Sequence, residues 1–311
     1  MDDPALFLKI AADHFPDTKI IATGSSTLGA SAKFRDTLTG RKAELMLTPL
    51  CEADSAFPGY ADRQKRFLSG GLPGFYLNEI RDDHDYSEWM ESFWACDVME
   101  MFRIERRSSF LKFAELLLLQ SGGRFEAAPF AAACSVSRPT IMNYLAVLES
   151  TYLVHVVRPY HGGASSEITS TPTIYGFDTG FVAWSQGLHE ISSKDKGFFW
   201  EHLVLNEMIA RLQSRDLMTW RDKQKREVDF IWAPGGKEPV AIEVKWKVDS
   251  FEPRGMRAFR ALHPGALNLV VASDIVEPYS RTNSGLEIMF VPLCKLAETI
   301  RSSSSLTRPG A

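Results

Sequence analysis

Cysteine is scarce and scattered: the four in these 311 residues are Cys51, Cys96, Cys134 and Cys294, and no two form a C-x-x-C pair. That spacing argues against a zinc knuckle or a disulfide framework and fits a reducing cytoplasm. Long apolar runs are absent too. No stretch approaches the roughly 20 residues that span a bilayer, and the N-terminus lacks a basic-then-apolar signal layout, so the chain is read as neither inserted nor exported. Charge of one sign is also lacking. A formal net charge of -4 gives no chain-wide nucleic-acid coat, so such binding would fall to local basic patches. No G-x-x-x-x-G-K-[ST] loop occurs, and no acidic metal strand precedes residue 19, so the sequence offers no cradle for ATP.

What is present suffices for ordinary globular cores. Apolar residues make up 45% and charged residues 24% of the chain, with 20 Phe and 7 Trp, and the length allows two or three domains. The run KIIAT (19–23) reads as a short buried strand opening into the polar turn Gly24-Ser25-Ser26. Residues 31–50 read as helical and then extended, ending at Pro49, and GGLPG (70–74) punctuates the next helical stretch. The acidic run Asp82-Asp83-His84-Asp85 lacks the spacing of a calcium loop and reads as solvated.

The middle of the chain has clearer punctuation. RSSFLKFAELLLLQ (107–120) is an apolar helix stopped by Gly122-Gly123, and a short helix follows over Ala127 to Cys134. After the turn Ser135-Val136-Ser137, Ser137 is a natural N-cap, Pro139 suits a first helical turn, and Ile141, Leu145 and Leu148 recur on one face. YLVHVVRPY (152–160) is β-rich, and Gly162-Gly163 allows a turn into a further extended run. Helix, turn, helix and two strands make a winged helix-turn-helix. Arg138, Thr140 and Asn143 then lie at the exposed start of its second helix, placed for base edges or phosphates. The same fold also serves as a protein-protein module or spacer.

The chemistry concentrates in the last third. On a helix from Phe198 to Leu212, Glu201 shares a stripe with Leu205, Met208 and Leu212, which turns a carboxylate toward the core. Such a group is protonated, paired or bound to a cation; alone, it would read as a helix-entry Glu. In REVDFIWAP, Asp229 departs from the apolar face of Val228, Phe230 and Trp232. In PVAIEVKWK, Glu243 and Lys245 share a face roughly 6.6 Å apart. Pairing through the Pro234-Gly235-Gly236 turn makes Asp229 and Glu243 converge, which suits Mg²⁺ or Mn²⁺ with Lys245 beside it. The alternative is a charge ladder on a half-solvated hairpin. The nearby basic residues Arg221, Lys223, Lys225 and Arg226 would lead a phosphate backbone to the site or form a solvated loop.

Glu201, Asp229 and the Glu243-Val244-Lys245 triplet together resemble the PD-(D/E)XK restriction-endonuclease fold. The resemblance implies a mixed sheet flanked by helices, with Asp229 and Glu243 binding metal, Lys245 assisting the attacking water and Glu201 reaching the metal through water. KIIATGSS, Leu38-Thr39-Gly40-Arg41 with Pro49-Leu50, GGLPG, SRPTIMNYLAVLES, IYGFDTG and WRDKQKREVDFI followed by EVK resemble, in that order, a bacterial and archaeal group of AAA+-type ATPases with a C-terminal domain of unknown function. By that resemblance Ser25 or Ser26 senses the γ-phosphate and Arg41 is a charge-stabilising arginine.

The P-loop half of that family is missing from this sequence. The expectation is therefore a fragment, a truncated gene or a mis-set start codon, with ATP engaged only if the missing half is supplied. The resulting plan is an α/β multidomain chain: a partial AAA+ core (1–55), a helical lid (56–105), a winged helix-turn-helix (106–165), a nuclease-like mixed sheet with flanking helices (166–300) and a disordered tail (301–311). Two functions stay open: metal-dependent cleavage of nucleic acid, DNA foremost, or a non-catalytic DNA-associated regulator or assembly module. A homo-oligomer is compatible with either, and no membrane is involved.

Overall fold

The computed structural model describes residues 4–15, 17–24, 43–54, 63–99, 102, 104–162, 171–236, 238–264, 267–283 and 285–305. Its eleven described α-helices are α1 (Pro4–His14), α2 (Arg63–Ser69), α3 (Pro73–Tyr76), α4 (Asp83–Phe93), α5 (Arg107–Leu119), α6 (Ala127–Cys134), α7 (Arg138–Ser150), α8 (Thr179–Ser185), α9 (Lys196–Leu212), α10 (Arg254–Leu262) and α11 (Leu293–Ser305). The strands are β1 (Gly123–Arg124), β2 (Val154–Pro159), β3 (Thr173–Gly176), β4 (Leu217–Arg221), β5 (Glu227–Trp232), β6 (Val240–Lys245), β7 (Asn268–Ala272), β8 (Tyr279–Asn283) and β9 (Leu286–Val291). The chain is thus α/β, and it divides into two compact units, each discontinuous in sequence.

The first unit comprises Met1–Met46, Asp82–Leu116 and Ala127–Val154. Its helices meet through aromatic side chains: Phe113 of α5 lies edge-on to Phe130 of α6, with centroids 5.3 Å apart, and Phe110 lies edge-on to Tyr144 of α7 at 5.2 Å. The expected cap of α7 is present, with the Ser137 hydroxyl accepting from Thr140 N at 3.2 Å and Ile141, Leu145 and Leu148 buried. Asp82 to Asp85 form no loop. Asp82 caps α4 by accepting from His84 N at 2.9 Å, because a run of acids satisfies the unpaired N–H groups and positive end of a helix. The KIIAT run is no strand either; residues 19–24 are exposed, with Ile21 90% accessible. A strand is stable only on a ladder, and this run pairs with no strand of the described sheet.

The second unit comprises Leu47–Arg81, Leu117–Glu126 and His155–Ala311 and holds a mixed sheet of order β1-β3-β2-β4-β5-β6-β7-β9-β8. Pairs β2–β4, β6–β7 and β7–β9 are parallel; β1–β3, β4–β5, β5–β6 and β8–β9 are antiparallel. All five residues of β7 are buried, as a central parallel strand covered on both faces requires. Met256 and Phe259 of α10 pack on Ile231, Ala241, Val270 and Phe290. Pleat alternation sends Phe230, Ile242 and Val244 to the other face, where Tyr175 meets Phe230 and Trp200 of α9 meets Trp246. At the C-terminal end, α11 runs through Ser305 rather than yielding to a tail at 301, because buried Leu293, Leu296, Ala297 and Ile300 anchor it.

GGLPG and FDTG turn out to be two halves of one buried cluster. Asp178 caps α8 through Gly180 N at 2.8 Å and accepts from Gly71 N at 2.6 Å, while Arg66 donates to Thr179 Oγ1 at 2.7 Å and lies 3.6 Å from Asp178. A Cβ on Gly70 would fall 1.8 Å from Asp178 Oδ1, so this approach demands glycine.

Candidate active site

β5 and β6 form the expected hairpin through residues 234–236, where Gly235 takes φ +62°. Their register runs Trp232↔Val240, Ile231↔Ala241 and Phe230↔Ile242 and then ends. The next cross-strand pair is Asp229 and Glu243, at the fork where the strands part. There Val244 N donates to Asp229 Oδ2 at 2.7 Å in place of a ladder carbonyl, and Asp229 N donates to Glu243 Oε2 at 3.3 Å. Lys245 Nζ completes the cluster, 3.1 Å from Asp229 Oδ2, 3.8 Å from Glu243 Oε2 and 3.0 Å from Val244 O. Opening the ladder frees backbone donors to hold carboxylates, which is why an acidic pair persists at this depth.

Glu201 enters from α9. Tyr175 Oη donates to its Oε1 at 2.5 Å, and Tyr175 is buried between the rings of Phe230 and His202. Burial raises the Glu201 carboxyl to about 7, with the Asp229 charge adding to the effect and Tyr175 and Lys245 opposing it. Burial, then the adjacent Asp229 carboxylate, likewise holds Glu243 well above the usual carboxylate range. Desolvation pulls the Lys245 ammonium down, but Asp229 and Glu243 outweigh it and the net direction is up. Lys245 is therefore a fixed positive charge and not a base. The four residues interact as one electrostatic unit, yet among the described residues no three His, Cys, Asp or Glu side chains are grouped to hold a metal ion. Direct ligation would fall to Asp229 and Glu243.

The other anticipated contacts are spread out. Arg138 and Asn143 are exposed at the start of α7, whereas the Thr140 hydroxyl lies 2.8 Å from Ser137 Oγ, within the cap. Arg221 pairs with Glu227 at 3.5 Å, and Arg226 donates through Nε to Asp222 Oδ2 at 2.6 Å. Lys223 and Lys225 are exposed on the same turn. Ser25, Ser26 and Arg41 lie outside the described residues.

Sequence reasoning missed Tyr175 as a site residue, although its strand IYGF was singled out; a buried phenol needs a hydrogen-bond partner, and that is the usable signal. It also missed His202, whose Nε2 lies 2.6 Å from Ser121 Oγ and which burial lowers to about 4, leaving it a neutral strut between α9 and the loop before β1.

Two stretches of the chain match family models, and the hairpin lies in the second of them. Residues 196–294 match a domain of unknown function (DUF4143), and residues 60–192 match another domain of unknown function (DUF8612). The chain is also similar to the uncharacterized proteins Mb2031c of Mycobacterium bovis and Rv2008c of Mycobacterium tuberculosis, each 24% identical over 266 residues. That alignment covers 82% of this chain and 59% of each relative, so the chain spans little more than half the length of the curated relatives it matches.

Proposed function

We propose that the β5–β6 fork is a metal-dependent phosphodiester-cleaving site acting on nucleic acid, DNA foremost. The observation that carries this reading is the convergence of Asp229, Glu243 and Lys245 at the end of an open ladder, with Lys245 Nζ 3.1 Å from Asp229 Oδ2. The residues fit a hard divalent cation. Two adjacent carboxylates, one of them raised by burial and then by the charge of the other, favour any positive charge between them, and Mg²⁺ commonly takes only one or two protein carboxylates, the rest being water and phosphate oxygens. Asp229 and Glu243 would hold it; when bound, it supplies charge neutralisation and a water of lowered pKa.

The protein's own groups divide the remaining work. Lys245, permanently charged, stabilises negative charge developing on the phosphate oxygens. Glu201, titrating near neutrality, accepts a proton from the attacking water, and Tyr175 fixes its orientation. In the same reading residues 106–165 form a winged helix whose Arg138 and Asn143 contact DNA. The same reading relates the chain to AAA+-type ATPases.

A second reading has one observation in its favour. Asp229 Oδ2 already accepts from both Val244 N and Lys245 Nζ, which is how a retired site kept as a binding or assembly module would neutralise itself. Incubation of the purified chain with Mg²⁺ or Mn²⁺ and single-stranded, duplex or branched DNA, or RNA, decides between them. The nuclease reading expects cleavage that falls roughly 100-fold or more in both Asp229→Ala and Lys245→Ala. No cleavage by folded wild-type protein with metal present would sink it.

A further inference from the structure

Lys196 opens α9, the helix that carries Glu201 to the fork. Its ammonium lies over the ring of Trp246, 5.6 Å from the centroid, and Trp246 directly follows Lys245 at the end of β6. That ring is a fixed platform. Trp200 stands edge-on to it at 6.0 Å and Phe67 at 6.2 Å, while the Trp246 carbonyl accepts from Ser273 Oγ at 2.6 Å. A lysine laid on a braced ring has given up much of its rotamer freedom in the fold, so its position is set before any ligand arrives.

The cations at this end of the sheet are not equally matched. Lys245 faces Asp229 at 3.1 Å and Glu243 at 3.8 Å. Arg63, whose guanidinium lies 5.1 Å from the Trp200 centroid, donates to Ser273 O at 2.9 Å and lies 3.7 Å from Glu52. Lys196 differs. Among the described residues its ammonium makes no salt bridge or hydrogen bond, and the neighbouring Asp195 carboxylate is engaged by Ser192 N at 3.1 Å and Ser192 Oγ at 2.5 Å. The face of an indole attracts an ammonium without using up its three N–H donors, so these remain for an anion.

We infer that Lys196 is a phosphate-binding residue of the fork, holding a phosphate of the nucleic-acid strand near the one that is cleaved, with Trp246 as its positioning residue. The inference rests on the nucleic-acid reading of the fork. Lys196 and Glu201 are five positions apart, which is about 7.5 Å along α9, or roughly two nucleotide steps at about 3.4 Å each. A strand whose scissile phosphate lies at Asp229, Glu243 and Lys245 then carries a neighbouring phosphate past the start of α9, along the end of β6. An ammonium grips a phosphate oxygen as a point charge and reads no base edge, so the contact adds affinity equally for all sequences.

The test is fluorescence anisotropy of fluorescein-labelled single-stranded and duplex DNA with the full chain in EDTA, where cleavage cannot occur, repeated over a series of KCl concentrations. Lys196→Gln is expected to weaken binding on the order of fivefold for every sequence and to reduce the slope of log affinity against log salt by about 1. Lys196→Arg, which keeps a charge on the ring, should restore both. In Mg²⁺, Lys196→Gln should raise KM by about the same factor with kcat unchanged, the signature of binding shared by ground state and transition state. Wild-type affinity and salt slope in Lys196→Gln, or a loss that Lys196→Arg does not restore, would overturn the inference, as would failure of the wild type to bind DNA. Lys196-dependent binding without any cleavage in Mg²⁺ would retire the catalytic reading and leave the phosphate contact standing, while cleavage with a Lys196-independent affinity would do the reverse.

Discussion

Glu201 couples the site to solution pH. Its carboxyl sits near 7 in the fold against an ordinary 4.5, so the folded state prefers it protonated. The stability this contributes is complete below about pH 4.5 and is lost as pH rises through about 7. Glu201→Gln keeps the neutral shape and removes the titration. Denaturant midpoints should nearly coincide near pH 5, and the variant should be the more stable near pH 8 by on the order of 2 kcal/mol, allowing for partial solvent access. A constant difference across that range would show that the carboxyl is not held neutral by burial. At this scale Glu201, Asp229, Glu243 and Lys245 were legible because two alternating strands and one helical stripe each place a charged residue against pattern. Tyr175 was not, since its partner lies on a helix 26 residues later and no local period announces it.

Elements were legible where the signals were self-contained. α6 and α7 follow a stop, a turn, an N-cap serine and a 3.6-residue apolar stripe, all written in consecutive residues. KIIAT failed for the opposite reason, because an apolar run specifies a strand only when a partner strand exists to complete its hydrogen bonds. The GGLPG segment gives a within-motif contrast. Gly70 is left-handed at φ +79° with Asp178 Oδ1 at 1.8 Å from any added Cβ, whereas Gly74 in α3 has nothing within 4 Å. Gly70→Ala should cost about 3 kcal/mol or more, and Gly74→Ala should be neutral or stabilising by up to about 1 kcal/mol. Chemical denaturation of the two variants checks the pair, and equal effects would refute the cluster as the reason for the paired glycines.

Across the whole molecule, the two family matches share one sheet. β2 belongs to residues 60–192 and β4 to residues 196–294, yet they pair in parallel through Arg158↔Met218 and Pro159↔Thr219, with Tyr160 N donating to Thr219 O at 2.7 Å. Expressed alone, residues 196–294 would expose β4 as an unpaired edge and lose the Tyr175 bond to Glu201. That fragment is expected to self-associate on size-exclusion chromatography while the full chain elutes at a single defined size; a monodisperse, cooperatively folding fragment would contradict the pairing. No sequence pattern announces this tie, because the two strands are some sixty positions apart and parallel partners leave no hairpin signature.

The β2–β4 ladder also bears on ancestry. A junction that looks in sequence like a seam between two modules runs through a row of hydrogen bonds, so genetic exchange at that point would yield working offspring only when the incoming segment brings its own matching strand. Lineages carrying one half are thereby constrained to inherit a compatible other.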